Sequence, residues 1–243
     1  MKLFRTAILL VHGFAGGVYD AEYLDHQLEL ISKYDVYTFT LPGHDGDTSK
    51  KLKGEDWIKK ARAEVNFLIE HGYTRIYVIG HSMGGVIAAY LASIYPQVKK
   101  LVLVAPAFRY ISHEDGNFKP MNAIKRTPKL IEQYGAKMIT SRMTKLPANA
   151  VSEFMNLVKK YQGVTKKVHI PTLIIRGTSD EIVPQQSVEY ITKTIQSKKL
   201  KVVLLDGITH DVFRENKKEQ ASELIIKFFK HTSSIKKMPD IIK

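Results

Sequence analysis

The stretch from Arg75 to Ala92 constrains this chain more than any other. Arg75-Ile76-Tyr77-Val78-Ile79 alternates and is rich in β-formers, so it reads as a buried strand. Gly85-Val86-Ile87-Ala88-Ala89-Tyr90-Leu91-Ala92 is apolar and Ala-rich, which reads as a helix. Gly80-His81-Ser82-Met83-Gly84 lies between them. A turn that feeds a strand straight into a helix leaves no room for side chains beside its central residue, so glycine flanks Ser82. The serine hydroxyl then stands at the sheet edge with a helix N-terminus behind it. The rest of the chain repeats the alternation. Strands are predicted over 7–11, 35–40, 75–79, 100–104, 172–176 and 201–205. Helices are predicted near 20–33, 55–71, 84–95, 185–196 and 217–230. That order predicts an α/β fold, a mainly parallel sheet of about six strands with helices on both faces. An insertion over 108–168 divides the core into 1–107 and 169–243.

A serine hydroxyl is a poor nucleophile unless a base lies within hydrogen-bond reach and a carboxylate orients that base. In this architecture the partners follow in the order Ser, Asp, His, each after a later strand. Thr172-Leu173-Ile174-Ile175 runs into Arg176-Gly177-Thr178-Ser179-Asp180, with Glu181 next. Lys201-Val202-Val203-Leu204-Leu205 runs into Asp206-Gly207-Ile208-Thr209-His210. Asp180 and Glu181 are both available as the acid, and Gly-Thr-Ser-Asp is also ordinary turn chemistry. Asp206 and Asp211 flank His210 but follow the wrong strand. A developing oxyanion needs two N–H donors, one from the residue after the nucleophile, here Met83. The other comes from the loop after the first central strand, His12-Gly13-Phe14-Ala15-Gly16-Gly17. These glycines do not have dinucleotide-fingerprint spacing, and no Gly-Lys-Ser/Thr follows them.

His12-Gly13-Phe14, Gly80 to Gly84, Asp180 and His210 together resemble the α/β-hydrolase superfamily. Within it the chain is similar to small serine carboxylesterases and monoacylglycerol-lipase-like esterases, from about Ile8 to about Phe229. The resemblance implies Ser82 as nucleophile, His210 as base and Asp180 as acid, since Asp180 follows the strand's Gly177 and precedes Val183-Pro184. It implies the Phe14 and Met83 N–H groups as the oxyanion hole, a small-to-medium acyl ester as substrate, and no metal or organic cofactor. It gives Leu41-Pro42-Gly43-His44-Asp45-Gly46 a structural role near the mouth, and His81 a supporting one. It makes 108–168 a cap, of whose apolar residues (Phe108, Tyr110, Phe118, Met121, Tyr134, Met138, Met143, Phe154 and Met155) a minority would touch substrate. Many members open with a β-hairpin, whereas here the oxyanion strand comes almost first. The same triad serves thioesterases, amidases and carbon–carbon bond hydrolases, and the fold also hosts non-catalytic binding proteins.

The chain has no cysteine, which excludes disulfides, a cysteine nucleophile and cysteine metal sites. The net charge of +13 is spread along the sequence and reads as a solvated lysine surface, with room for weak attraction to anionic surfaces. No nucleic-acid motif accompanies it, so no nucleic-acid partner is expected. Residues 1–11 superficially suggest a signal peptide, but the apolar run is short and lacks a small-residue cleavage site. We read it as a strand, which gives a cytoplasmic expectation, and no run is long enough to span a membrane.

Overall fold

The computed structural model describes residues 5–48, 51–109 and 134–243, together with positions 113, 114, 117, 118, 128, 131 and 132. Its centre is a seven-stranded parallel sheet in the order β2-β1-β3-β4-β7-β8-β9. The strands are β1 (Thr6–Val11), β2 (Tyr34–Thr38), β3 (Ile76–His81), β4 (Val98–Val104), β7 (Thr172–Gly177), β8 (Leu200–Leu205) and β9 (Ile241–Ile242). A separate two-residue pair, β5 (His113–Glu114) with β6 (Asn117–Phe118), is antiparallel. The six strands read from the sequence are present, and β9 adds a seventh that the sequence reading did not include. It pairs Leu204 with Ile241 and Leu205 with Ile242 along the outer edge of β8.

The strands are buried on both sides, so their side chains divide by period two between two cores. Leu9, Val11, Val78, Leu101, Leu103 and Ile174 face one core. That core is closed by α2 (Gly54–Glu70), α3 (Met83–Ile94), α5 (Ala150–Tyr161) and α6 (Gln185–Thr194). Ile8, Leu10, Ile79, Val102, Val104, Leu173, Ile175 and Val203 face the other. It is closed by α1 (Glu22–Glu29) and α7 (Lys218–Lys230).

The insertion contains α4 (Ala136–Met143) and α5. Its second half is built into the core, because Ala150, Leu157, Val158 and Tyr161 of α5 are buried in the first cluster. Polar bonds bolt α5 to the loop before α2. Asn149 accepts from the Leu52 N–H and donates to the Leu52 carbonyl, and Glu153 Oε2 accepts the Gly54 N–H at 2.7 Å. Phe108 is fully buried and belongs to the core rather than to a pocket lining. Tyr110 and Met121 lie outside the described residues, as do the side chains of Phe118 and Met138.

Candidate active site

β3 ends in Gly80-His81 and α3 begins at Met83, so Ser82 alone makes the turn. Its backbone sits at φ 54° and ψ −119°, a region that favours glycine and costs a side-chain-bearing residue about 1–3 kcal/mol. Neighbouring backbone holds it there. The Ser82 N–H donates to Val104 O at 2.9 Å, and the Ser82 carbonyl accepts from Gly85 at 2.9 Å and Ala107 at 3.0 Å. The flanking glycines are required by space. A Cβ on Gly84 would lie 2.1 Å from Val11 O, and one on Gly80 would lie 2.2 Å from Gly84 O. Among the described residues Ser82 Oγ has no hydrogen-bond partner.

The turn after β7 carries Asp180, and the longer loop after β8 carries His210. Their side chains meet, with His210 Nδ1 donating to Asp180 Oδ2 at 2.9 Å. The other carboxylate oxygen accepts the N–H groups of Ile182 at 2.9 Å and Val183 at 2.8 Å. Glu181, the rival from the sequence, is not the carboxylate on this imidazole. Ser82, Asp180 and His210 are all buried, at 5–6% exposure. Burial pushes the Asp180 carboxyl up, but the imidazole, the Val183 N–H and the Arg176 guanidinium outweigh it and hold it below its ordinary value. Burial likewise pushes His210 down, and the Asp180 carboxylate more than restores it, so the imidazole is a stronger base than usual. With Nδ1 donating to the carboxylate, Nε2 is left to accept a proton.

His81, next to Ser82, bonds through Nε2 to the His210 carbonyl at 3.0 Å, and the two rings lie 4.8 Å apart. A carbonyl can only accept, so the His81 Nε2–H is the donor and His81 supports the loop, while burial and the His210 charge push its pKa down.

The loop after β1 packs onto the elbow. A Cβ on Gly13 would stand 3.0 Å from Ser82 Cβ, so the loop that continues into Phe14 packs against Ser82. Among the described residues, neither the Phe14 nor the Met83 N–H has an acceptor within the protein. Two histidines brace this loop. His12 Nδ1 donates to Gly13 O at 2.8 Å while its Nε2 accepts the Leu41 N–H at 3.0 Å. His44 Nε2 accepts the Ala15 N–H at 3.2 Å while its Nδ1 faces Pro42 O. Burial and the neighbouring His12 push the His44 pKa down to about 4, which keeps it a neutral acceptor. Phe14 stacks on Phe154 of α5 at 5.0 Å, tying the insertion to the same loop.

Sequence reasoning named Tyr134 only as a cap side chain and missed the bonds of a second set of groups. Tyr134 of the insertion accepts the His210 N–H on its hydroxyl at 3.0 Å. Asp20 takes the Gly17 N–H on one oxygen, and on the other meets Arg142 at 3.1 Å and Arg214 at 3.4 Å. Arg142 also lies 3.6 Å from Asp211. One arginine of α4 thus links the loop after β1 to the loop after β8. These partners are separated by up to 194 positions in the chain, and no local pattern announces them.

The family model for the alpha/beta hydrolase fold matches residues 6–154, more than half of the chain. The chain belongs to the alpha/beta hydrolase family. A second model, described as serine aminopeptidase S33, matches residues 112–217 of the hydrolase. A carboxylesterase from Bacillus subtilis is 24% identical over 199 residues, covering 79% of this chain and 78% of the relative. A thermostable monoacylglycerol lipase from Bacillus sp. (strain H-257) is 24% identical over 233 residues, covering 92% and 90%. Among solved structures, one described with the metagenome-derived lipolytic enzymes LipS and LipT superposes with a TM-score of 0.76 at 22% identity, covering 93% of the hydrolase and 94% of that chain. The monoacylglycerol lipase of Paleococcus ferrophilus superposes with a TM-score of 0.69 at 18% identity, covering 95% and 96%.

Proposed function

We propose that this hydrolase cleaves carboxylic esters of small to medium acyl groups through an acyl-enzyme on Ser82. The observation that carries the reading is the Asp180–His210 bond, beside a serine held in a left-handed strand-to-helix turn. Relatives named carboxylesterase and monoacylglycerol lipase support the ester as the bond broken. Ser82 Oγ attacks the ester carbonyl carbon while His210 Nε2 takes the hydroxyl proton. Asp180 holds the imidazole in the tautomer that leaves Nε2 free, and stabilises the imidazolium that forms. The tetrahedral oxyanion is bound by the Phe14 and Met83 N–H groups, which no acceptor among the described residues satisfies. His210 then gives its proton to the leaving alcohol. Water enters by the same base, and the acid leaves. Substrate entry brings Ser82 Oγ and His210 Nε2 into hydrogen-bond contact, since catalytic bonds commonly tighten in the Michaelis complex.

The test is hydrolysis of p-nitrophenyl esters from acetate to palmitate. Turnover with a short-to-medium optimum supports the reading. A folded protein that turns over none of them, while cleaving a thioester or an amide, overturns the choice of ester.

A further inference from the structure

In a parallel sheet every chemistry-bearing loop above leaves a carboxyl end of a strand. The opposite end is built from the segments that bring the chain back into β2, β3, β4, β7 and β8. Those segments are residues 30–33, 71–75, 95–100, 165–171 and 195–199. They contain eight lysines and arginines and no aspartate or glutamate, while the connection into β9, residues 231–240, adds Lys236, Lys237 and Asp240, which pairs with Lys201. At the chain's overall composition, 37 basic and 24 acidic residues in 243, segments of that combined length would hold about four and three. Backbone bonds lock them side by side in one row. Thr6 donates to Lys33 O, Ala7 to Arg75 O, Ile76 to Gln97 O, Leu101 to Pro171 O and Thr172 to Lys199 O, all at 2.9–3.1 Å. Seven of the eight cations, all but Lys100, are exposed. Arg5, on the same edge, is neutralised by Asp35.

The eighth cation is buried at the same end. Lys100 on β4 is 7% exposed and donates to the Phe228 and Phe229 carbonyls at 2.8 Å each. The charges that act on it are Lys33, Arg75 and Lys199, which all oppose its protonation, from three different connections.

The shape of this end selects among anionic partners. The connections are short, and the hollow described at this end, about 330 Å³ between residues 69–74 and 96–99, is local and carries one cation, Lys99, so it does not form a basic groove that would track a strand of nucleic acid. The cations are mostly lysines, compact charges suited to a diffuse surface rather than to bidentate recognition. Two large apolar side chains share the end, Leu30 at 68% exposure and Ile94 at 41%. Lysines around protruding aliphatic groups on a flat face match an anionic bilayer, where charge attracts and the apolar groups enter the headgroup layer.

We infer that the amino end of the sheet docks on anionic lipid surfaces, with the mouth at Ser82 turned away, about 20 Å off across the strands. The inference does not depend on which bond the enzyme cleaves.

The test is co-sedimentation of the full chain with phosphatidylcholine vesicles containing 30% phosphatidylserine. The protein should pellet at low salt, be released at 0.5 M salt as screening shortens the reach of each charge, and ignore pure phosphatidylcholine. A variant carrying Lys33→Gln, Arg75→Gln, Lys198→Gln and Lys199→Gln should lose partition by on the order of 100-fold or more, at about fivefold per charge. A matched variant with Lys51→Gln, Lys53→Gln, Lys137→Gln and Lys145→Gln should lose far less. Orientation is read separately. The chain has no cysteine, so an environment-sensitive dye can be placed at Leu30→Cys or at Tyr19→Cys near the mouth. The dye at position 30 should shift on vesicle addition and the dye at position 19 should not. Failure to pellet at low salt, equal losses in the two charge variants, a response at position 19 instead of 30, or tighter binding to duplex DNA or RNA than to the vesicles would each overturn the inference.

Discussion

The two ends of the sheet are built on opposite terms. Three non-glycine residues have positive φ among the described residues: Ala15 at 56°, Ser82 at 54° and Ala105 at 43°. Each lies just past the carboxyl end of β1, β3 or β4. His12, Asp20, Ser82, Asp180 and His210, all buried polar groups, sit at that same end. The amino end has relaxed connections and exposed cations, and its one φ-positive residue is Gly72. Strain and desolvated charge cost stability, and here they are concentrated at the proposed site of ester cleavage. The well-packed strands between the two ends absorb that cost. The difference teaches that one architecture can separate chemistry from contact with surroundings simply by the direction of its strands.

The comparison breaks most visibly at the nucleophile. Ser82→Ala should lower kcat at least 10,000-fold or so with folding intact, because the triad acts as a unit. A variant retaining most activity would remove the catalytic role of this end altogether. Asp180→Asn should cost on the order of 10,000-fold, through loss of the productive tautomer. Circular dichroism of each variant separates lost chemistry from lost fold.

The pH profile sharpens the same end. His210 must be neutral to accept the serine proton, and the Asp180 carboxylate raises its pKa against burial. A raised pKa means that protonation persists to higher pH. The acid limb of kcat/KM should therefore lie at or above the ordinary histidine value of about 6.5, with activity lost as pH falls through it. A profile flat down to pH 4 would exclude a histidine base.

At the amino end Lys100 is the exception to relaxed construction. Burial, then the charges of Lys33, Arg75 and Lys199, pull its pKa down to about 8. The folded state therefore disfavours the protonated amine, and wild-type stability should rise as pH climbs from about 8 towards 10.5, where the unfolded lysine also releases its proton. The neutral amine keeps two N–H groups for the Phe228 and Phe229 carbonyls. Lys100→Met lacks this dependence. The wild type should gain on it by about 2 kcal/mol between pH 7 and pH 10, as an order of magnitude. Urea midpoints of both proteins at the two pH values measure that gap, and titrations of groups that do not interact with Lys100 cancel. A constant gap would show that Lys100 stays charged throughout.

What could be read from the sequence followed from how local each signal is. The elbow was legible because close backbone packing demands glycine at 80 and 84 in a fixed five-residue frame. Asp180 and His210 were legible because each follows a recognisable buried strand. β9 was not, since Ile241–Ile242 is two residues long and has no period. Tyr134, Arg142 and Asp20 were not, because their bonds join distant segments that only folding brings together. The lysines looked dispersed for the same reason, as parallel topology collects the starts of strands that lie far apart in the chain.

The smallest effect isolates strain from chemistry. Ser82→Ala and Ser82→Gly both delete the hydroxyl, so both should be inactive. They differ in the backbone. Alanine keeps the penalty of φ 54°, whereas glycine adopts that region freely. Glycine also enlarges the unfolded ensemble, which offsets roughly 0.5–1 kcal/mol of the relief. Against a strain of about 1–3 kcal/mol, the glycine variant should still be more stable than the alanine variant by about 1 kcal/mol in a urea titration. An alanine variant more stable than the glycine variant by roughly 0.5–1 kcal/mol would mean that the bonds to Val104, Gly85 and Ala107 make the turn at no cost. The two ends of the sheet would then differ in polarity and charge but not in stored strain.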